Sequence, residues 1–210
     1  VVPGSVTVAT NGAGCNVTPP PPTTDTGLNN TATLTVTGGT PTPSNVCAPT
    51  PPALVVVKSD PVVVGTTATY TVTVTNTGGT AATYELTDSP LFGVGVTVTA
   101  PPVCTNTSVL PGVGDTTPTC TTTTGPWALA DPGTAIAAAV AVPVVDSYTV
   151  AIPFAVDSIT STTQSRTCPA AGSFTTTGLN NGATLTAAGG VTSSEPGCGD
   201  APPPLAFSFS

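Results

Sequence analysis

A single lysine, a single arginine and no histidine stand against ten carboxylates in this 210-residue chain. Those counts bound the chemistry. Without histidine there is no Ser-His-Asp or Cys-His relay to activate a nucleophile. Glu85 and Asp88 form a carboxylate pair that could do acid–base work. The plainer expectation is that Asp88 closes a turn and Glu85 sits on the solvent face of a strand. Lys58, with Glu85 or Asp88 as proton-shuttling acid and Asn180 or Asn181 as acceptor, supplies the residue types of an internal Lys–Asn amide crosslink. The plainer alternative makes Lys58 an edge charge that discourages wrong strand pairing. Calcium needs clustered oxygen ligands, yet the acids are scattered singly and no DxDxDG loop occurs. No catalytic residue, metal site or cofactor is expected.

The six cysteines include no CxxC pair, which favours disulfides over a zinc site. Cys15 and Cys47 bracket one copy of a GLNN motif, and Cys168 and Cys198 bracket the other. The expected pairs are therefore Cys15–Cys47, Cys168–Cys198 and, by elimination, Cys104–Cys120. Disulfides of this kind belong outside the cytoplasm.

The motif itself is the strongest organising signal. GLNNTATLTVTGG begins at Gly27 and GLNNGATLTAAGG at Gly178, an offset of 151, with ten of thirteen positions identical. The APTPPALVVV that begins at Ala48 is echoed by the APPPLAFSF that begins at Ala201. The chain thus reads as the back part of one repeat unit (1–52), a complete unit (53–200), and a Pro-rich joint with one apolar strand (201–210).

Between these marks, strands dominate. Ala68, Tyr70, Val72 and Val74 alternate with Thr67, Thr69, Thr71, Thr73 and Thr75, the period-2 pattern of a half-buried antiparallel strand. Shorter alternations occur at Ala32, Leu34 and Val36 and at Val94, Val96 and Val98. Turn signals stand at Asn76-Thr77-Gly78-Gly79, Asn181-Gly182 and Asp131-Pro132-Gly133. Ala135–Val142 lacks helix caps and is read as a buried strand. The fold class is all-β: Ig-like antiparallel sandwich, Greek-key, disulfide-stapled, with essentially no helix.

The segment Ala53–Leu91, with Lys58, the TYTVTVTNTG stretch Thr69–Gly78, Thr87-Asp88 and Pro90-Leu91, resembles the front half of a widespread bacterial cell-surface repeat. That Thr/Val-rich family has no assigned activity, and the two GLNN copies resemble its closing strand. The match covers about half the chain; Val94–Ser173 is longer and bears cysteines. The resemblance implies an Ig-like sandwich in large, secreted, repetitive proteins and carries over no catalytic residue. Surface sandwiches with a Lys–Asn crosslink keep their lysine on a first strand, where Lys58 lies.

Net charge −8 excludes nucleic acid, whose binding needs a basic stripe, and disfavours an anionic membrane surface. Mean hydropathy is +0.32, but no apolar run approaches the roughly 20 residues of a membrane helix. No signal segment is evident, so Val1 reads as a processed terminus. Asn16, Asn29 and Asn106 open N-glycosylation sequons. Leu205, Phe207 and Phe209 alternate in the last residues, where tails are normally polar. They read as a donor strand for an incomplete sandwich in another copy, with fold-back onto the same chain, or a place within a longer array, as alternatives. The expected function is a structural subunit of an extracellular or cell-surface filament, a head-to-tail homopolymer. The alternative is an adhesin stalk or glycan-binding module using Trp127 with Tyr148 or Tyr84. Ice binding through Thr arrays is disfavoured by their irregular spacing.

Overall fold

The computed structural model describes residues 28–34, 37–40, 42–108, 117–139, 142–157, 166–168 and 173–203. Among them every regular element is a strand: β1 Leu28–Leu34, β2 Thr42–Ala48, β3 Leu54–Lys58, β4 Val62–Val64, β5 Thr67–Asn76, β6 Ala82–Pro90, β7 Val96–Val98, β8 Val103–Asn106, β9 Trp127–Ile136, β10 Val144–Val156, β11 Asn181–Ala187 and β12 Thr192–Gly197. The chain is all-β, as its alternation implies. One sheet runs β3-β5-β10-β7, with β4 on β5 and β8 on β10; the other runs β12-β11-β6-β9. A separate two-stranded sheet pairs β1 with β2.

Contacts divide the chain into two compact units. One holds Val55–Val74, Thr83–Ala135 and Asp146–Ser210; the other holds Val1–Leu54, Thr75–Ala82 and Ile136–Val145. The core of the first lies between its two sheets. Thr on one face and Ala68, Tyr70, Val72 and Val74 on the other give β5 a strict alternation of half-buried and buried residues. Thr suits the wetter face because its β-branch fits the pleat without bringing charge. Across from β5 and β10, β6 and β11 contribute Tyr84, Leu86, Ala183 and Leu185, all buried. Phe92 and Phe154 meet edge to face, an arrangement favoured by the ring quadrupoles. The Tyr84 hydroxyl hydrogen-bonds Asp146 Oδ2 at 2.8 Å and the Tyr148 hydroxyl at 2.7 Å, so the polar ends of this core are paired with one another.

In the second unit Asn76 acts as a plug. Its Oδ1 accepts from the amides of Ala53 and Gly78, and its Nδ2 donates to the carbonyls of Thr80 and Ala137. Here the expectation of a buried strand at Ala135–Val142 fails. Only Ala135 and Ile136 are strand, as the end of β9, and 137–139 form a loop. Its backbone polar groups are satisfied elsewhere: the Ala137 carbonyl by Asn76, and the Ala139 amide by the Gly78 carbonyl. Asp131-Pro132-Gly133 is likewise not a turn between strands. It is an exposed bend within β9, with Gly133 at φ 92° and the Thr134 hydroxyl donating to the Asp131 carbonyl.

The disulfides Cys104–Cys120 and Cys168–Cys198 are as expected from the sequence. Cys47 is also disulfide-bonded; its expected partner, Cys15, lies outside the described residues.

Two stability measurements follow. Asn76→Ala orphans two amides and two carbonyls, each worth about 1–3 kcal/mol if left unmet. The unfolding free energy in urea, with disulfides intact, is expected to fall by about 3 kcal/mol. Replacing Cys104 and Cys120 together by Ser opens a loop of sequence separation 16. That change is expected to cost about 3 kcal/mol in the same assay.

Candidate functional site

Three strands end where their inward faces carry polar groups. On β3 the buried positions are Val56 and Lys58; on β6 they are Tyr84, Leu86 and Asp88; on β11 they include Asn181, Ala183 and Leu185. Period-2 alternation therefore carries an amine, a carboxylate and a carboxamide into one core. Lys58 enters from the β3 sheet, and Asp88 and Asn181 from the opposite one. Asp88 lies directly across from Ala183, which places Asn181, two residues along, on its diagonal.

The geometry is tight. Lys58 Nζ donates to Asp88 Oδ1 at 2.7 Å, and both side chains have no solvent exposure (0%). Asn181 Nδ2 donates to the other carboxylate oxygen, Oδ2, at 2.9 Å. One carboxyl thus bridges the amine and the amide. Asn181 Oδ1 is buried and has no hydrogen-bond partner, although buried polar atoms are nearly always satisfied. Beneath the amine, the Tyr70 ring lies 4.7 Å from Nζ, and the Tyr70 hydroxyl donates to the Leu179 carbonyl.

Electrostatics here run against the ammonium form. Burial pulls the Lys58 amine below the usual lysine range, opposed by the charge of Asp88 and by its hydrogen bond. The Tyr70 hydroxyl is pushed up, first by burial and then by the charges of Asp88 and Asp60, so it stays protonated. Tyr84 is pushed up first by burial, then by its hydrogen bond with Tyr148.

Backbone packing holds the three groups together. Gly197 is opposite Asn181 on β12. A Cβ there would stand 2.0 Å from the Ser59 carbonyl oxygen and 3.3 Å from Lys58 Cγ, so only glycine lets β12 run past the end of β3. Nearby, the Cys198 amide donates to Asp60 Oδ1, and Cys198 is fastened to Cys168.

Several sequence expectations change. Asp88 does not close a turn; it faces inward, in register with Tyr84 and Leu86. Lys58 does lie on a strand at the end of its sheet, but its side chain points into the core. Glu85 is half-buried on the other face of β6, as its parity requires. Asn180 is not part of the cluster: its Nδ2 holds the carbonyls of Ser173 and Thr175. Trp127, Tyr84 and Tyr148 are core residues with about 1% exposure, and Trp127 Nε1 donates to the Thr122 carbonyl. They present no aromatic surface to a glycan. Asn106 is half-buried, with Oδ1 accepting from the Ser108 amide. Asn29 lies on β1; Asn16 and Leu205, Phe207 and Phe209 lie outside the described residues.

Because Lys58, Asp88 and Asn181 are sealed from solvent, they have access to one another and not to a diffusing substrate. No group of three or more potential metal ligands occurs among the described residues, and these residues contain no helix long and apolar enough to cross a membrane. Comparison with known protein families, curated proteins and solved structures finds no match. The site and fold therefore define the class: a disulfide-stapled β-sandwich with an amine–carboxyl–carboxamide cluster in its core. The disulfides fit a non-reducing environment.

Asp88→Ala would leave the buried amine without its carboxyl. Breaking such a pair is expected to lower the unfolding free energy by roughly 3–5 kcal/mol. Glu85→Ala, on the outer side of the same strand, is expected to change it by less than about 0.5 kcal/mol.

Proposed function

We propose that this protein is a structural subunit of an extracellular or cell-surface filament, joined head to tail by β-strand donation. The observation that carries this reading is an internal one. Adding the offset of 151 to the β1–β2 register converts Asn30↔Val46 into Asn181↔Gly197, which is the β11–β12 register. The two hairpins are one structural unit used twice. In the complete copy, β11 has a second neighbour, β6. Among the described residues, β1 has only β2. Leu185 is 2% exposed, whereas its counterpart Leu34 is 67% exposed.

A lone two-stranded hairpin is marginal in water and needs a further strand or layer to cover its apolar face. The sequence of Leu205–Phe209 has the alternation of a strand that could supply one. Burying Leu205, Phe207 and Phe209 would contribute roughly 1.5–3 kcal/mol each, with ladder hydrogen bonds in addition. A donor that reaches the next copy makes a heterologous contact, and such contacts propagate. The absence of histidine and the sealed cluster favour a mechanical over a catalytic role.

The same register supports a second reading, in which the hairpin closes a preceding repeat within a longer adhesin stalk. Negative-stain electron microscopy of the chain beside a version ending at Pro204 separates the two. Fibres from the full chain alone are expected. Monomers from both versions would contradict donation and favour the stalk.

A further inference from the structure

We infer that Lys58 and Asn181 are joined by an intramolecular amide bond that forms autocatalytically, with Asp88 as the proton-relaying acid. The inference stands on the core cluster and does not depend on how copies assemble.

The reaction uses only groups already gathered on one carboxyl. Lys58 Nζ and Asn181 Nδ2 hydrogen-bond the two oxygens of the same carboxylate. Proton transfer from the ammonium to Asp88 Oδ1 leaves a neutral amine and a neutral carboxylic acid, which removes two charges from an apolar core. Asp88 then becomes a donor. Turning the Asn181 amide over exchanges Nδ2 and Oδ1, so the carbonyl oxygen, which has no partner, can accept the carboxyl proton. That hydrogen bond polarises Cγ toward the amine.

The Nζ lone pair attacks Asn181 Cγ, forming a C–N bond and a tetrahedral carbon. As this collapses, the Cγ–Nδ2 bond breaks and Asp88 delivers a proton to the leaving nitrogen. Of the three ammonium protons, one stays on the new amide. The other two depart with the former Nδ2 as ammonium, and Asp88 returns to a carboxylate. Atoms and charge balance without metal, cofactor or oxidant. Pre-alignment in a rigid core supplies what a bimolecular amine and amide lack, since oriented intramolecular reactions reach effective molarities of about 10⁵ M and above.

The new bond would connect the first strand of the complete unit to its penultimate strand, across the two sheets. Tension entering near Leu54 and leaving near Gly197 would then run through one covalent link instead of through β-ladder hydrogen bonds. Only one such bond can form per chain, because Lys58 is the sole lysine. Asn30, the repeat counterpart of Asn181, has no lysine left to join.

The test is the intact mass of the purified full chain after complete reduction. A mass below the sequence value by one ammonia is expected, and proteolysis should release a branched peptide joining the Lys58 and Asn181 segments. Lys58→Met and Asn181→Ala are expected to restore the mass, apart from the substitution, and Asn30→Ala to keep the loss. Asp88→Asn is expected to block the bond in protein that still contains its native disulfides.

Asn181-Gly182 could also shed ammonia by cyclising onto its own backbone. In that case the loss would survive in Lys58→Met and map without Lys58, which overturns the inference. A full-length mass in the wild-type chain, with Lys58 open to amine-directed modification after unfolding, overturns it as well. Crosslinked Asp88→Asn would overturn the part given to Asp88.

Discussion

The pairing of Lys58 with Asp88 inside a core of Val, Ala, Tyr and Leu is the constraint on which the rest of this fold depends. Two unit charges cannot be buried cheaply, and their mutual attraction offsets the loss of water only when geometry is close and the remaining lone pairs are met. Meeting that condition requires β3, β6 and β11 to bring their inward faces to one point. The register of β11 on β6 places Asn181 on the diagonal of Asp88. Tyr70 supplies a ring beside the amine, and Gly197 removes the side chain that would keep β12 from β3. Each is a local choice that makes sense only with the others in place.

The repeated hairpin sets one backbone unit in two different surroundings. Both copies share register, but their surroundings differ at the positions that decide packing. Gly197 allows close approach of the Lys58 strand, while the equivalent position in the first copy is Val46. The chain has no second lysine to pair with Asn30. Within the complete unit the design favours a covalent tie. Under the proposed function, the first hairpin instead takes up a strand from another copy, for which Phe207 and Phe209 are residues of the right type. In the proposed filament, a subunit locked internally and linked externally by strands would carry load without unfolding.

Much of this was legible in the residues. The alternation over Thr67–Val74 specified β5 and its buried face. The bracketing of GLNN by cysteines specified Cys168–Cys198, and the offset of 151 specified two equivalent repeat segments, which the structure folds as hairpins of one register. Lys58, Asp88 and Asn181 could be named as reactants, but turn chemistry at Asp88 and an edge role for Lys58 competed successfully. Parity held the missing information: Asp88 shares its face with Tyr84 and Leu86, and Lys58 shares its face with Val56. Choosing Asn181 over Asn180 depends on the same parity, with Leu185 and Ala183 as the guide. The loop at 137–139 was not legible, because an Asn76 plug from a distant strand satisfies its backbone. Trp127, Tyr84 and Tyr148 had a polar end each, which suits a binding surface as well as a core. Their pairing with Thr122, Asp146 and one another settles where they lie.

The sole lysine makes a direct measurement available. With ¹⁵N placed only at the lysine side chain, the nuclear magnetic resonance spectrum of the folded chain contains one Nζ signal. A secondary amide with a single attached proton, slow to exchange with solvent, is expected. An amine or ammonium signal at Nζ in the folded, mature chain would contradict it and leave the core held by a charge pair alone.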